Sequence, residues 1–184
     1  PQAQLNLGYD APGGWYAGGL LGRVHFDAYR QSPLLLGYLG RVAPLRTDLD
    51  AEAGLILAHF PQAGGYDYGE LYAGLIAPRW RTRAYLSPDY FGRGRPSLYA
   101  ELDLNMALLP SLQLIAHLGL LQTWGSRQPA PHDSSRPDLR VGIAWHRSGC
   151  ELQLAWVDAG RGGPYLAAYE QVRGTPVLGL LIGF

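Results

Sequence analysis

From Leu98 to Met106 every even position is apolar, while Tyr99, Glu101, Asp103 and Asn105 take the odd ones. Successive side chains of a β-strand point to opposite faces, so this segment reads as a strand with one apolar and one polar face. The alternation recurs along the chain. Gln2, Gln4, Asn6 and Asp10 oppose Ala3, Leu5, Leu7 and Tyr9, and Arg23, His25 and Asp27 oppose Leu20, Gly22, Val24 and Phe26. Gln113 and His117 oppose Leu112, Leu114, Ala116 and Leu118; Asp138, Arg140 and His146 oppose Leu139, Val141, Ile143 and Trp145. Segments of about ten residues have the length a tilted strand needs to cross a bilayer.

Read this way, strands fall at about 2–10, 14–26, 33–45, 50–60, 67–77, 79–87, 97–108, 111–122, 138–147, 150–158 and 175–184. Glycine and proline punctuate them into hairpins. Short connectors (11–14, 46–48, 77–78, 109–110, 148–149) alternate with long ones (27–32, 61–66, 88–95, 123–137, 159–174), as in bacterial barrels with short periplasmic turns and long outer loops. The expected fold is all-β: one domain over residues 1–184, an antiparallel up-and-down transmembrane β-barrel. Eleven strands is an odd number for this class, and the two ends of the series fall on opposite sides. The expectation is therefore of twelve strands in the whole barrel, with one amino-terminal strand absent from this sequence.

Composition narrows the class. All fifteen basic residues are Arg, they balance fifteen acidic ones, and no basic excess points to nucleic acid. Cys150 is the single cysteine, which excludes an intramolecular disulfide and a Cys-based metal site. No apolar run reaches the length of a membrane helix. Tyr9, Tyr16, Phe26, Trp80, Trp145 and Trp156 gather near strand ends on the apolar face, as interfacial girdles do. The chain ends with Leu178, Leu180, Ile182 and Phe184 on one face, resembling the terminal signal read by the outer-membrane assembly machinery.

An Arg turned toward lipid near the midplane would cost roughly 2–4 kcal/mol, so the polar face is expected to point inward. That assigns Asp10, Arg23, His25, Asp27, Arg41, Glu52, Glu70, Arg79, Arg81, Arg83, Glu101, Asp103, Gln113, His117, Arg140, His146, Glu151 and Gln153 to a lumen. Arg79, Arg81 and Arg83 share a face on one strand, and Glu101 and Asp103 lie on the next. One reading is a positive wall facing a negative wall across a constriction; the other is that these charges pair off and plug the barrel. His25, His117 and His146 share the inward phase without metal-ligand spacing, and no metal or cofactor is expected.

The segment Tyr85-Leu86-Ser87-Pro88-Asp89-Tyr90-Phe91-Gly92 resembles the Ser-Pro-Asp-Tyr-Phe-Gly signature of the TorF porin family, bacterial outer-membrane β-barrels of otherwise unassigned function. Gly14-Trp15-Tyr16-Ala17-Gly18, Glu70-Leu71-Tyr72-Ala73-Gly74 and Leu154-Ala155-Trp156-Val157-Asp158 support the likeness. Phe60-Pro61 stands where the family tends to have Tyr-Pro. The resemblance implies a barrel in the bacterial outer membrane, embedded in its lipid, and a channel.

The expectation is a non-enzymatic channel for passive diffusion of small hydrophilic solutes or ions. A plugged barrel acting structurally, or binding a partner through loops such as 123–137, is the alternative. A lipid-modifying enzyme has less support, because Ser87, Ser97 and Ser111 show no Ser/His/acid motif. Ser87, Pro88, Asp89 and Tyr90 open a loop; Asp89 and Tyr90 could meet a solute at the mouth, but Pro and Asp are ordinary turn formers, which favours a role in fixing the loop.

Overall fold

The alternation becomes eleven strands in the computed structural model, which describes residues 4–25, 31–92, 94–124, 135–160 and 172–182. They are β1 (Leu5–Asp10), β2 (Trp15–His25), β3 (Gln31–Arg46), β4 (Leu49–His59), β5 (Tyr68–Ala77), β6 (Trp80–Ser87), β7 (Ser97–Leu109), β8 (Leu112–Thr123), β9 (Ser135–Arg147), β10 (Cys150–Ala159) and β11 (Val172–Ile182). Each strand pairs antiparallel with its sequence neighbours in a single sheet of order β1 to β11. This is the up-and-down order of a β-barrel wall, with β1 and β11 as the edges of the sheet among the described residues.

Two-residue turns close four hairpins at one end of the sheet, and the 11–14 connector between β1 and β2, with a 3-10 turn at Pro12–Gly14, closes the fifth. At Ser148-Gly149 both central residues have positive φ, 47° and 80°, the backbone whose twist matches the flanking strands. Longer connections lie at the other end, where 60–67 and 88–96 each contain a short 3-10 turn, Gly64–Tyr66 and Tyr90–Gly92. Among the described residues no helix is long and apolar enough to cross a membrane.

The register sorts side chains into two faces. Glu52, Tyr72, Ser87, Ser97, Leu121, Ala144 and Ala155 are buried, and all share one face; Leu57, Leu71, Leu120, Leu154 and Leu178, on the other, are strongly exposed. Apart from the 60–67 and 88–96 connections at one end, no second layer covers the buried face among the described residues, and a single sheet shields the rest of one of its own faces only by curling around it. The face of Glu52 is therefore the inner one. The apolar outer face, with Leu71 64% and Leu178 71% exposed, inverts the usual arrangement of a globule.

Candidate functional site

The inner wall is organised in rows that run across the strands, and glycine makes the rows possible. Tyr16, Gly40, Gly54 and Tyr72 occupy one register row from β2 to β5. Both tyrosines lie flat over the two glycines until their hydroxyls meet at 2.6 Å. A Cβ added at Gly40 would sit 2.3 Å from Tyr72 Oη and 2.5 Å from Tyr16 Cζ. Tyr38 covers Gly18 in the same way, and Tyr99 covers Gly119. Strand glycine beside an aromatic of the neighbouring strand is a device for filling the missing side-chain volume.

One such gap decides an ion pair. Glu52, Gly74 and Arg83 stand in register on β4, β5 and β6. With no side chain between them, Arg83 reaches across β5: its Nε and Nη2 donate to the two Glu52 oxygens at 2.5 and 2.7 Å. The Glu52 side chain is only 1% exposed and also accepts from Tyr16 Oη at 3.1 Å. The expected partner of Arg83, Glu101, instead accepts from Tyr85 Oη at 2.8 Å.

A second cluster lies on β6 to β9. Arg81 Nη2 donates to Asp103 at 2.7 Å. His117 stands between two acids, with Nδ1 2.7 Å from Asp103 Oδ1 and Nε2 2.9 Å from Asp138 Oδ1. Carboxylates only accept, so both bonds stand together only when the ring carries both protons. On β9 and β10 a third chain runs from Arg140 Nη2 to Gln153, from Gln153 Nε2 to Glu151, and from Glu151 to His146 Nδ1 at 3.0 Å.

Of the residues assigned to a lumen, Asp10, Glu52, Glu70, Arg81, Arg83, Glu101, Asp103, Gln113, His117, Arg140, His146, Glu151 and Gln153 hold inner register positions. Arg23 and Arg41 do not. Arg23 shares the outer face with Leu21, and Arg41 lies outside over the Trp15 ring at 5.5 Å. The assumption that an Arg must face inward fails for Arg23, close to the end of β2, and for Arg41, paired with Trp15 at the start of β2; in a bilayer an outward Arg beside such an end would reach the interface at about 0–1 kcal/mol. Tyr16, expected outside, is inside for the same shift of phase in β2. Arg79 belongs to the β5–β6 turn rather than to a strand, since β6 begins at Trp80. Asp27, Phe26, Phe184 and the side chain of His25 lie outside the described residues.

The Ser87–Gly92 motif is architectural. Ser87 Oγ is buried and donates to Gly69 O at 2.8 Å; Asp89 Oδ1 accepts from the Gly94 amide at 2.5 Å. Phe91, at φ 55°, is buried with its ring 4.6 Å from Tyr68 and 5.8 Å from Phe60. Gly92, at φ 60°, is pressed so close to Gly65 O that a Cβ would lie 2.0 Å from it. The resulting apolar cluster also touches Val24 and Leu34 and includes Ala58, so the two long connections fold over the inner face at their end of the sheet. Just outside it, Asp67 Oδ1 accepts from the Phe60 amide at 2.7 Å and Oδ2 lies 2.6 Å from His59 Nδ1. The Phe60 amide, with His59 beside it, holds the Asp67 carboxyl below the usual carboxylate range.

Glu101, Asp103 and His117 present ligand atoms within 4.8 Å of one another, spacing a cation could use. Each already has a hydrogen-bond partner in Tyr85, Arg81 or Asp138. His117 and His146 belong to separate clusters. The transferable signal missed in the sequence is glycine at polar-phase strand positions, at Gly40, Gly54, Gly74 and Gly119. Compared with protein-family models, with curated proteins and with solved structures, the chain matches none of them.

Proposed function

We propose that this chain is a bacterial outer-membrane β-barrel that passively passes small hydrophilic solutes or ions, and that it acts without catalysis. The carrying observation is the way its polar side chains lie along the inner wall. The bonds of Tyr16, Glu52, Tyr72, Arg83, Tyr99 and His117 join strands one to three apart, and glycines beneath them keep the rows thin. Closed into a ring, eleven to twelve strands spaced ~4.8 Å and tilted ~40° would have a backbone diameter of roughly 22–24 Å. Flat-lying residues leave more of that width free than side chains standing across it. The apolar outer face and the likeness to the TorF porin family fit the same reading.

Charge pairing modifies the expected selectivity wall. Arg83 is neutralised by Glu52, and Arg81 shares Asp103 with His117. A plugged or loop-binding barrel is the second reading, favoured by the Phe60–Phe91 cluster over one end of the inner face. Single-channel recording of the folded chain in a planar bilayer separates the two. Stable conductance steps support passage; a correctly folded barrel without conductance at any voltage transfers the function to its loops.

A further inference from the structure

The clusters described so far leave one group of cations unmatched. At the short-turn end of the inner wall lies a cavity of about 350 Å³, lined among others by Arg79, Arg81, Asn105, His117, Arg140 and Gln153. Asp103 is the one carboxylate among the described residues that line it, and it is already shared by Arg81 and His117. Arg140 spends Nη2 on Gln153, an uncharged partner, and its buried Nε has no hydrogen-bond partner among the described residues. A buried donor without an acceptor bears its desolvation uncompensated. Arg79, at the exposed turn, forms no ion pair among the described residues. Cationic forks, a buried donor without an acceptor and amide side chains around one hollow have the chemistry of a site for an anionic oxygen cluster.

We infer that this cavity binds a small oxyanion, a carboxylate or phosphate group, held chiefly by Arg79 and Arg140, and that such an anion is among the solutes handled. The second half rests on the channel reading; the first does not. Elsewhere on the inner wall Glu52 is matched by Arg83, and Glu70, Glu101, Asp138 and Glu151 outnumber Arg136, so the cavity is a local positive site in a wall of opposite sign. A solute carrying an anionic group is thereby captured at the short-turn end rather than drawn in by the lumen as a whole.

The test uses the folded chain in detergent micelles and in planar bilayers, with inorganic phosphate and acetate as separate probes. Calorimetric titration is expected to give saturable binding, weakened at least tenfold in Arg79→Gln/Arg140→Gln. Arg79→Gln alone, a change at an exposed turn, is expected to weaken it severalfold, which guards against misfolding of the double variant. Arg41→Gln, on the outer face, is expected to leave it unchanged. In bilayers, phosphate is expected to reduce the chloride current when added at the short-turn side, and not in the double variant. Absence of saturable binding of either probe overturns the site, whatever the conductance. Binding that survives in both arginine variants also overturns it. Binding without any conductance upholds the cavity and overturns passage.

Discussion

At the scale of single residues, the inner wall depends on absent side chains as much as on present ones. Gly54 lies beneath the Tyr72 hydroxyl and against the Leu39 carbonyl, each 2.4 Å from where a Cβ would stand. The carbonyl belongs to the sheet and cannot step aside. Gly54→Ala is therefore expected to cost about 1–3 kcal/mol as overpacking. Gly37 faces open space on the outer face, so Gly37→Ala is expected to be neutral or to stabilise by about 0.4–1 kcal/mol. Urea titration of the folded protein in lipid vesicles, read by tryptophan fluorescence, distinguishes them; equal costs would refute the row geometry. The Glu52–Arg83 pair makes a second contrast. Glu52→Ala strands a half-buried guanidinium and is expected to cost about 3 kcal/mol, whereas Glu52→Ala/Arg83→Ala removes the unmatched charge and should recover a substantial part. If the double variant is as unstable as the sum of the singles, the pair is not coupled as described.

At the scale of elements, the two long connections hold one another. Phe91 and Phe60 supply the cluster, and Asp67 pins its approach by accepting the Phe60 amide. The Asp67 carboxyl is held below its ordinary range, so its contribution is present above the unfolded carboxylate value, near 4. It is lost as the pH falls through the lower folded value. Protection against hydrogen exchange across 60–67, taken relative to the intrinsic rate at each pH, is expected to fall on acidification below about pH 4, and Asp67→Ala is expected to show the lower protection already at neutral pH. An Asp67→Ala protein with the wild-type acid response would place the sensitivity elsewhere. The same elements show what the sequence made legible. For β4 to β10 the charges settle the phase, because only one face is apolar. In β2 both faces are apolar, with Leu20 and Val24 inside and Leu21 outside, and Arg23 at the strand end pointed to the wrong face. Strand positions and connector order were readable from alternation and Gly/Pro punctuation. The partner choice of Arg83 was not, because it depends on which residue stands empty on the strand between.

At the scale of the whole molecule, the two faces invert the solvent preference of an ordinary sheet, and this gives a test of what surrounds it. Leu71 lies on the outer face within β5, at the level of Leu55 on β4 and Leu86 on β6. Leu45 lies beside the short β3–β4 turn and is also exposed, at 60%. In water neither position would discriminate against a charge: an exposed Leu→Arg change costs little and would even aid solubility. In a bilayer the two separate by depth. Leu71→Arg is expected to cost about 2–4 kcal/mol and Leu45→Arg about 0–1 kcal/mol, because the guanidinium at the second position reaches the interface. The native Arg23 already occupies such an end position, and Arg41 rests on the ring of Trp15, the first residue of β2, as an interfacial cation would. Folding equilibria of both variants into lipid vesicles, compared with the unmodified chain, measure the difference directly. A depth-dependent pair of costs identifies the surrounding medium as hydrocarbon. Two equal and small costs would mean that the exposed leucines meet something other than lipid, and the inner wall would then line a groove in a soluble or partner-covered sheet.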